Sequence, residues 1–305
     1  MTDVLAALRT RRHRNKRQNL WALLFLGPWL IGVIVFTAGP MIGSLYLSFT
    51  DYDLLTSPKW TGLANFRRMF TADPVFLESL KVTAIYVAIG TPLELAVALL
   101  VAAALNKGLK GLNFYRSVLY LPSLFGGSVA IAVLWRRVFS SDGLVNQALD
   151  LIGIHGPAWI SDPSYALSTL IVLEVWQFGA PMVIFLAGLR QIPQEYYDAA
   201  SVDGAGRTRR FLNVTIPLLS PVIFFNLVLQ IIRGFQAFAP AFIISNGSGG
   251  PVNSTLFYSL YLYQEGFVNF HMGYASAMAW FLLLIAATLT AINFLLGRFW
   301  VHYGD

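Results

Sequence analysis

The sequence predicts an all-α integral membrane protein with six transmembrane helices and both termini cytoplasmic, and three observations carry that prediction. Of 305 residues, 56% are hydrophobic and only 12% charged, against about 45–50% apolar and about 25% charged in soluble domains. The apolar residues gather into runs of roughly 20, the length that crosses a hydrocarbon core about 30 Å thick. The basic residues fall mostly on one side of those runs, so the net charge of +6 reads as membrane orientation and not as affinity for nucleic acid. There is no cysteine, which excludes disulfide scaffolds, thiolate metal sites and cysteine nucleophiles.

Residues 1–19 make a basic segment expected in the cytoplasm. The first span is expected from Leu20 to Gly39; it is longer than the roughly 7–15 residues of a signal-peptide core, and Ala38-Gly39-Pro40 is a poor cleavage site. With the outer loop that follows it forms a unit of residues 20–79. The remaining spans are expected at Leu80 to Leu105, Ser117 to Phe139, Tyr165 to Leu189, Ile216 to Ile244 and Gly273 to Leu296, a core over 80–297, with a cytoplasmic tail at 298–305. The runs are long and continuous and lack the alternation of a transmembrane barrel.

Orientation follows from counting Lys and Arg. Residues 1–19 hold six, from Arg9 to Arg17. The loop after span two holds Lys107, Lys110 and Arg116, the loop after span four Arg190, Arg207, Arg209 and Arg210, and the tail Arg298, fourteen of 21 in all. The opposite side holds only Lys59, Arg67 and Arg68. The positive-inside rule puts the first group in the cytoplasm.

Sequence patterns for catalysis are missing: there is no GxxxxGK[ST], HExxH or GxSxG, so no ATP hydrolysis by this chain is expected. His13, His155, His271 and His302 lie far apart in expected loops or tails and read as ordinary surface histidines, with no metal expected.

The loop from Ile192 to Pro221, IPQEYYDAASVDGAGRTRRFLNVTIPLLSP, is more organised than a connector. Pro193 suits a helix start, Glu195 and Asp198 suit the positive end of its dipole, and Ala199 and Ala200 permit close approach of another surface. Gly204 and Gly206 can end the helix. Phe211, Val214 and Leu218 then recur at helical spacing, and Pro217 and Pro221 allow a kink. On physics alone this could equally be an interfacial helix lying on the membrane.

The same loop resembles the EAA motif of binding-protein-dependent ABC importer permeases. Asp198, Ala199, Ala200 and Gly204 occupy its places, with Asp203 before the glycine and Ile216-Pro217 near the end. Asp198 stands where glutamate is usual and Ile216 where leucine is. Other blocks match in order: Ser48, Phe49 and Thr50; Gly62, Leu63, Asn65 and Phe66; Phe114, Arg116, Leu121 and Pro122; Gly249, Gly250 and Pro251; and Gly273, Tyr274 and Ala275. The chain is similar over nearly its whole length to carbohydrate importer permeases related to the larger maltose permease subunit.

That resemblance implies the type I ABC importer permease fold in a bacterial or archaeal plasma membrane. It implies a heterodimer with a second permease, two ABC ATPase subunits and an extracytoplasmic solute-binding protein that delivers sugar. ATP and Mg²⁺ would be used by the ATPase partners, with no cofactor on this chain. The loop 190–215 would carry the coupling helix, with Glu195, Asp198, Ala199, Ala200, Asp203, Gly204 and Gly206 at the ATPase. A related machine for glycerol phosphate or another polar solute stays open; a stand-alone channel or secondary transporter would not need a docking loop.

Ionisable groups within spans are functional candidates by default, and Glu94, Glu174 and Arg233 qualify. Asn226, Gln230 and Arg233 share one helical face, which suits either the lining of a passage or hydrogen bonding between helices. Trp176, Gln177, Phe235, Gln236, Phe238 and Trp280 combine apolar rings with amides, as a sugar site requires; equally, aromatic residues pack everywhere in a chain with 23 Phe and 8 Trp. Glu174 could pair with Arg233, or Arg233 could meet an acidic sugar.

Overall fold

The computed structural model describes residues 24–108 and 111–302. The basic segment 1–19, the first residues of the first expected span, Lys110 and the last three residues of the tail lie outside the described residues.

Helix α1, Leu24–Ser48, runs nine residues past its expected end at Gly39. A π-helical turn at Ile34–Ala38 shifts the hydrogen-bond ladder just before Pro40, so the proline, which has no N–H to donate, sits in the first turn of the next segment without ending the helix. A short antiparallel hairpin follows, Thr50–Asp51 (β1) against Lys59–Trp60 (β2), with Thr50 opposite Trp60. Helix α2, Ala64–Thr71, is tied to it by the Asn65 side chain, which donates to Ser48 O and Thr50 O, both at 2.9 Å.

Helix α3, Pro74–Leu105, is the central element. Asp73 caps it by accepting from Phe76 N at 3.0 Å, with Pro74 at the first helical position. This start extends the expected span by six residues. Its faces pack against α7, α8 and α10, introduced below.

The third expected span is not one straight helix. Leu112–Phe125 (α4) and Val129–Val138 (α5) meet at 96°. Gly126 and Gly127 lie at the corner, and Ser128 caps α5 through Ile131 N at 3.3 Å. A short helix, Leu144–Asp150 (α6), precedes the fourth span, which is also broken: Pro163–Trp176 (α7) and Gly179–Gln191 (α8) meet at 41°. Gly179 sits so close to α4 that a Cβ there would lie 2.5 Å from Leu119 O.

After α8 comes Gln194–Val202 (α9). Arg207–Arg210, a π-helical turn at Phe211–Thr215 and Ile216–Phe235 then run together as α10. The helix breaks at Gln236 and resumes as α11, Ala239–Ile244, so the fifth expected span is interrupted. Tyr258–Tyr263 (α12) passes into a π-helical turn at Gln264–Val268, and Met272–Trp300 (α13) packs against α1. Four of these helices are long and apolar enough to cross a membrane, or six spans if each bent pair counts as one.

Two apolar cores result. One joins the first half of α3 to α7, α11, α12 and α13; the other joins the second half of α3 to α8 and Leu219 of α10. Large apolar side chains stand exposed on α1 (Phe25, Trp29, Phe36), α4 (Phe114, Leu121) and α13 (Phe294, Phe299), as surfaces facing hydrocarbon require.

Candidate functional site

A cavity of about 400 Å³ lies between the two cores, where all three helix breaks converge. The α4–α5 corner contributes Gly126 and Gly127, the α7–α8 break Gln177, and the α10–α11 break Gln236 through Pro240. Glu94 from α3, Glu174 from the end of α7, and Gln230 and Arg233 from α10 complete the polar lining, with Tyr86 and Phe238 as aromatic faces.

Missing side chains make room for present ones. A Cβ on Gly90 of α3 would lie 1.7 Å from Glu174 Oε2, and one on Gly126 would lie 2.1 Å from the Gln177 side-chain amide carbon. These two glycines are seats for the polar groups of α7. Gly234 likewise admits Val87, 2.7 Å from where its Cβ would be. Glu94 is only 3% exposed, and the buried Glu174 Oε2 makes no hydrogen bond among the described residues. Gln177 Nε2 donates to Leu173 O at 3.1 Å, which leaves its carbonyl oxygen for the cavity.

Of the expected passage residues, Glu174, Gln177, Gln230, Arg233, Gln236 and Phe238 therefore meet at one cavity, with Glu94. Four lie elsewhere. Asn226 is buried, its amide turned back to Val222 O at 3.0 Å. Trp176 packs against Trp135, ring centroids 5.7 Å apart. Phe235 belongs to the first core, and Trp280 donates to Ser44 Oγ at 3.2 Å across the α1–α13 contact. Among the described residues no ion pair within 4.0 Å joins Glu174 to Arg233. Tyr86, Gly90 and Gly126 carry no sequence signal, because their roles depend on which helices cross.

The second candidate region is α9 with its flanks. Glu195 lies in the first turn, Asp198 accepts from Gln194 Nε2 at 3.1 Å, and Asp203 follows the last turn. Gly204 has φ +76° with nothing within 4 Å of a Cβ, a left-handed conformation that glycine adopts without strain. Ala199 is exposed, Ala200 partly so, and Gly206 leads into α10. Tyr196 is 49% and Val202 89% exposed, so the helix also offers apolar surface that the motif does not include. Two hydrogen bonds strap α9 to the foot of α10: Tyr197 OH with Thr215 Oγ1 at 3.0 Å, and Arg210 Nη1 to Ser201 Oγ at 2.7 Å.

At the opposite end the expected surface histidine His271 is half-exposed but joins a network. Its Nδ1 lies 2.9 Å from Glu265, a carboxylate 4% exposed that also meets Arg68 at 3.3 Å and Asn269 Nδ2 at 2.7 Å. Tyr261 and Tyr274 both donate to Asp73, at 2.7 and 2.6 Å. His155 pairs with Asp150 at the surface, His302 Nδ1 lies 3.0 Å from Trp300 O, and His13 lies outside the described residues.

Residues 75–301 match the family model described as the binding-protein-dependent transport system inner membrane component. The chain is 53% identical over 289 residues to the probable ABC transporter permease protein YesP of Bacillus subtilis, covering 94% of each. It is 34% identical to the lactose transport system permease protein LacF of Rhizobium radiobacter, covering 90% of this chain and 93% of that one. Among solved structures, a bacterial alginate ABC transporter in complex with an alginate pentasaccharide-bound periplasmic protein shares the fold, with a TM-score of 0.80 at 21% identity over 96% of this chain and 99% of that one.

Proposed function

The chain belongs to the family of binding-protein-dependent transport system inner membrane components, and from that premise we propose that it is the permease subunit of an ATP-driven carbohydrate importer. The observation that carries the reading is a polar and aromatic cavity between broken spans, set along the same helix whose foot is strapped to an exposed surface helix. Amides and carboxyls supply hydrogen-bond partners for sugar hydroxyls and the rings of Tyr86 and Phe238 supply apolar faces. The lactose permease LacF among its relatives supports the sugar class.

In this reading the bent pairs are single spans, giving six, and the basic asymmetry places both termini in the cytoplasm of a bacterial or archaeal cell. A second permease completes the pathway, a solute-binding protein delivers sugar from outside, and two ATPase subunits bind and hydrolyse ATP with Mg²⁺. Helix α9 is the coupling helix. It presents Glu195, Asp198, Tyr196 and Val202 to an ATPase, and its straps at Thr215 and Arg210 make it move with α10. From Thr215 to Arg233 is 18 residues, or about 27 Å of continuous helix at 1.5 Å per residue, so displacement at the foot is delivered to the cavity wall.

The test is reconstitution of the complete importer in proteoliposomes, with ATP inside and the binding protein outside. ATP-dependent sugar uptake that disappears when this subunit is omitted is expected. Assembled complexes that hydrolyse ATP in response to the binding protein yet move no sugar would overturn the carbohydrate reading.

A further inference from the structure

Arg233 also borders a second cavity, of about 570 Å³, which shares Ala180 with the first. It lies between α4 and α8, and its polar lining is Asn113, Arg116, Ser117, Tyr120 and Arg233, against an apolar flank of α8. No Asp or Glu lines it. Among the described residues neither Arg116 nor Arg233 makes an ion pair within 4.0 Å or a side-chain hydrogen bond.

Arginine holds its charge in any environment that a protein offers, and it presents five N–H donors in a planar fork that matches a carboxylate or phosphate. Two such groups on one chamber whose own lining holds no Asp or Glu form a positive site that a neutral solute does not need. Arg233, a cation within a span, is costly to keep there. The hydroxyls of Ser117 and Tyr120 and the amide of Asn113 are suited to sugar hydroxyls beside the anion. The first cavity, with Gln177, Gln230 and Gln236 in its lining, offers amides to uncharged sugar units.

We propose that the Arg116–Arg233 cavity is an anion subsite of the translocation pathway, so that the solute is a sugar bearing a carboxylate or phosphate group. This rests on the reading of the chain as a carbohydrate permease. The anionic group is held in the chamber that Arg116 and Arg233 both line, and neutral parts of the solute occupy the glutamine-lined cavity.

The test measures equilibrium binding to the assembled permease pair with its ATPases in nanodiscs, without the binding protein, so that its selectivity does not intervene. The probes are glucose and galactose trisaccharides, each against its C6-oxidised uronate, and glycerol 3-phosphate. At least one anionic probe is expected to bind about tenfold or more tighter than the neutral trisaccharides, with the difference shrinking as salt rises. A uronate ahead identifies a carboxylate as the source and glycerol 3-phosphate ahead a phosphate; both uphold the subsite. Arg116→Gln, at a residue that lines only the second cavity, should shrink the preference while neutral binding persists, and lysine there should restore part of it. Equal binding of neutral and anionic probes in the unmodified complex overturns the subsite, and needs no variant to fold. So does an Arg116→Gln variant that weakens all probes alike, the result expected if this arginine instead meets a carboxylate of the partner permease. Binding of no trisaccharide by an assembled complex would overturn the carbohydrate reading itself.

Discussion

Replacing Gly90 by alanine tests whether the cavity is the solute's path. The new methyl would sit 1.7 Å from Glu174 Oε2 and 2.8 Å from Cδ. Ordinary contact begins near 3.4 Å, so the carboxylate must withdraw by about 1.7 Å, and the open direction is the cavity that it lines. Overpacking of this size costs about 1–3 kcal/mol, while alanine in mid-helix returns about 1 kcal/mol over glycine. Thermal stability of the complex should therefore fall by no more than about 2 kcal/mol. Transport should suffer more, because the displaced carboxylate occupies solute space: a loss of about 1–3 kcal/mol in solute binding is about 5- to 150-fold in KM for uptake. The decisive comparison is a double-mutant cycle with Glu174→Ala, which removes the obstructed group, so that Gly90→Ala should then cost almost nothing. Gly43→Ala on α1, where a Cβ meets nothing within 4 Å, is the neutral control. Equal transport defects for Gly90→Ala with and without the Glu174 carboxyl would refute the reasoning.

Other expectations follow from particular contacts. Asp198→Lys or Gly204→Val should leave insertion intact but lower solute moved per ATP hydrolysed, the second because valine at φ +76° costs about 1–3 kcal/mol; normal uptake by both would remove the coupling role of α9. Ser123→Ala removes the hydroxyl that donates to Gln177 O and accepts from Ala180 N, and should lower thermal stability by about 1–3 kcal/mol, read from the midpoint of unfolding in detergent. Glu265→Ala leaves Arg68 and His271 without their shared carboxylate and should destabilise the outer end by about 1–3 kcal/mol, discounted for the partial exposure of Arg68; limited proteolysis between α12 and α13 would detect it.

The apolar runs made the location of the spans legible, because hydrocarbon imposes length and polarity directly on sequence. The motif residues that bring Ser48–Thr50, Asn65 and Gly273 together also left a trace: Asn65 binds the backbone of Ser48 and Thr50, and a Cβ on Gly273 would lie 2.1 Å from Thr50 O. The polar stripe on α10 was legible only in part. Gln230 and Arg233 reach the cavity, while Asn226, one turn below, satisfies its amide on its own helix. A helical face states what a residue can meet, and the crossing helix decides whether it does. The breaks were not legible, since only polar or small residues such as Gly126, Gln177 and Gln236 mark them and such residues are common within spans.

Those breaks explain why the cavity stands where it does. Irregular backbone at membrane depth survives only when its N–H and C=O groups are satisfied and turned away from lipid. Each break here is served by a serine. Ser123 bridges Gln177 O and Ala180 N across α7–α8, Ser128 caps α5 after the α4–α5 corner, and Ser259 donates to Ala237 O at α10–α11. Turn hydrogen bonds from Gln177 N to Glu174 O and from Ala237 N to Gly234 O satisfy part of the rest. Backbone that would be ruinous against lipid becomes tolerable around a polar space, and the polar space in turn needs backbone and short side chains to give it width. The same local disruptions therefore create the cavity and make it affordable, which is why all three converge on one place while α13, which lines no part of this cavity, runs unbroken for 29 residues.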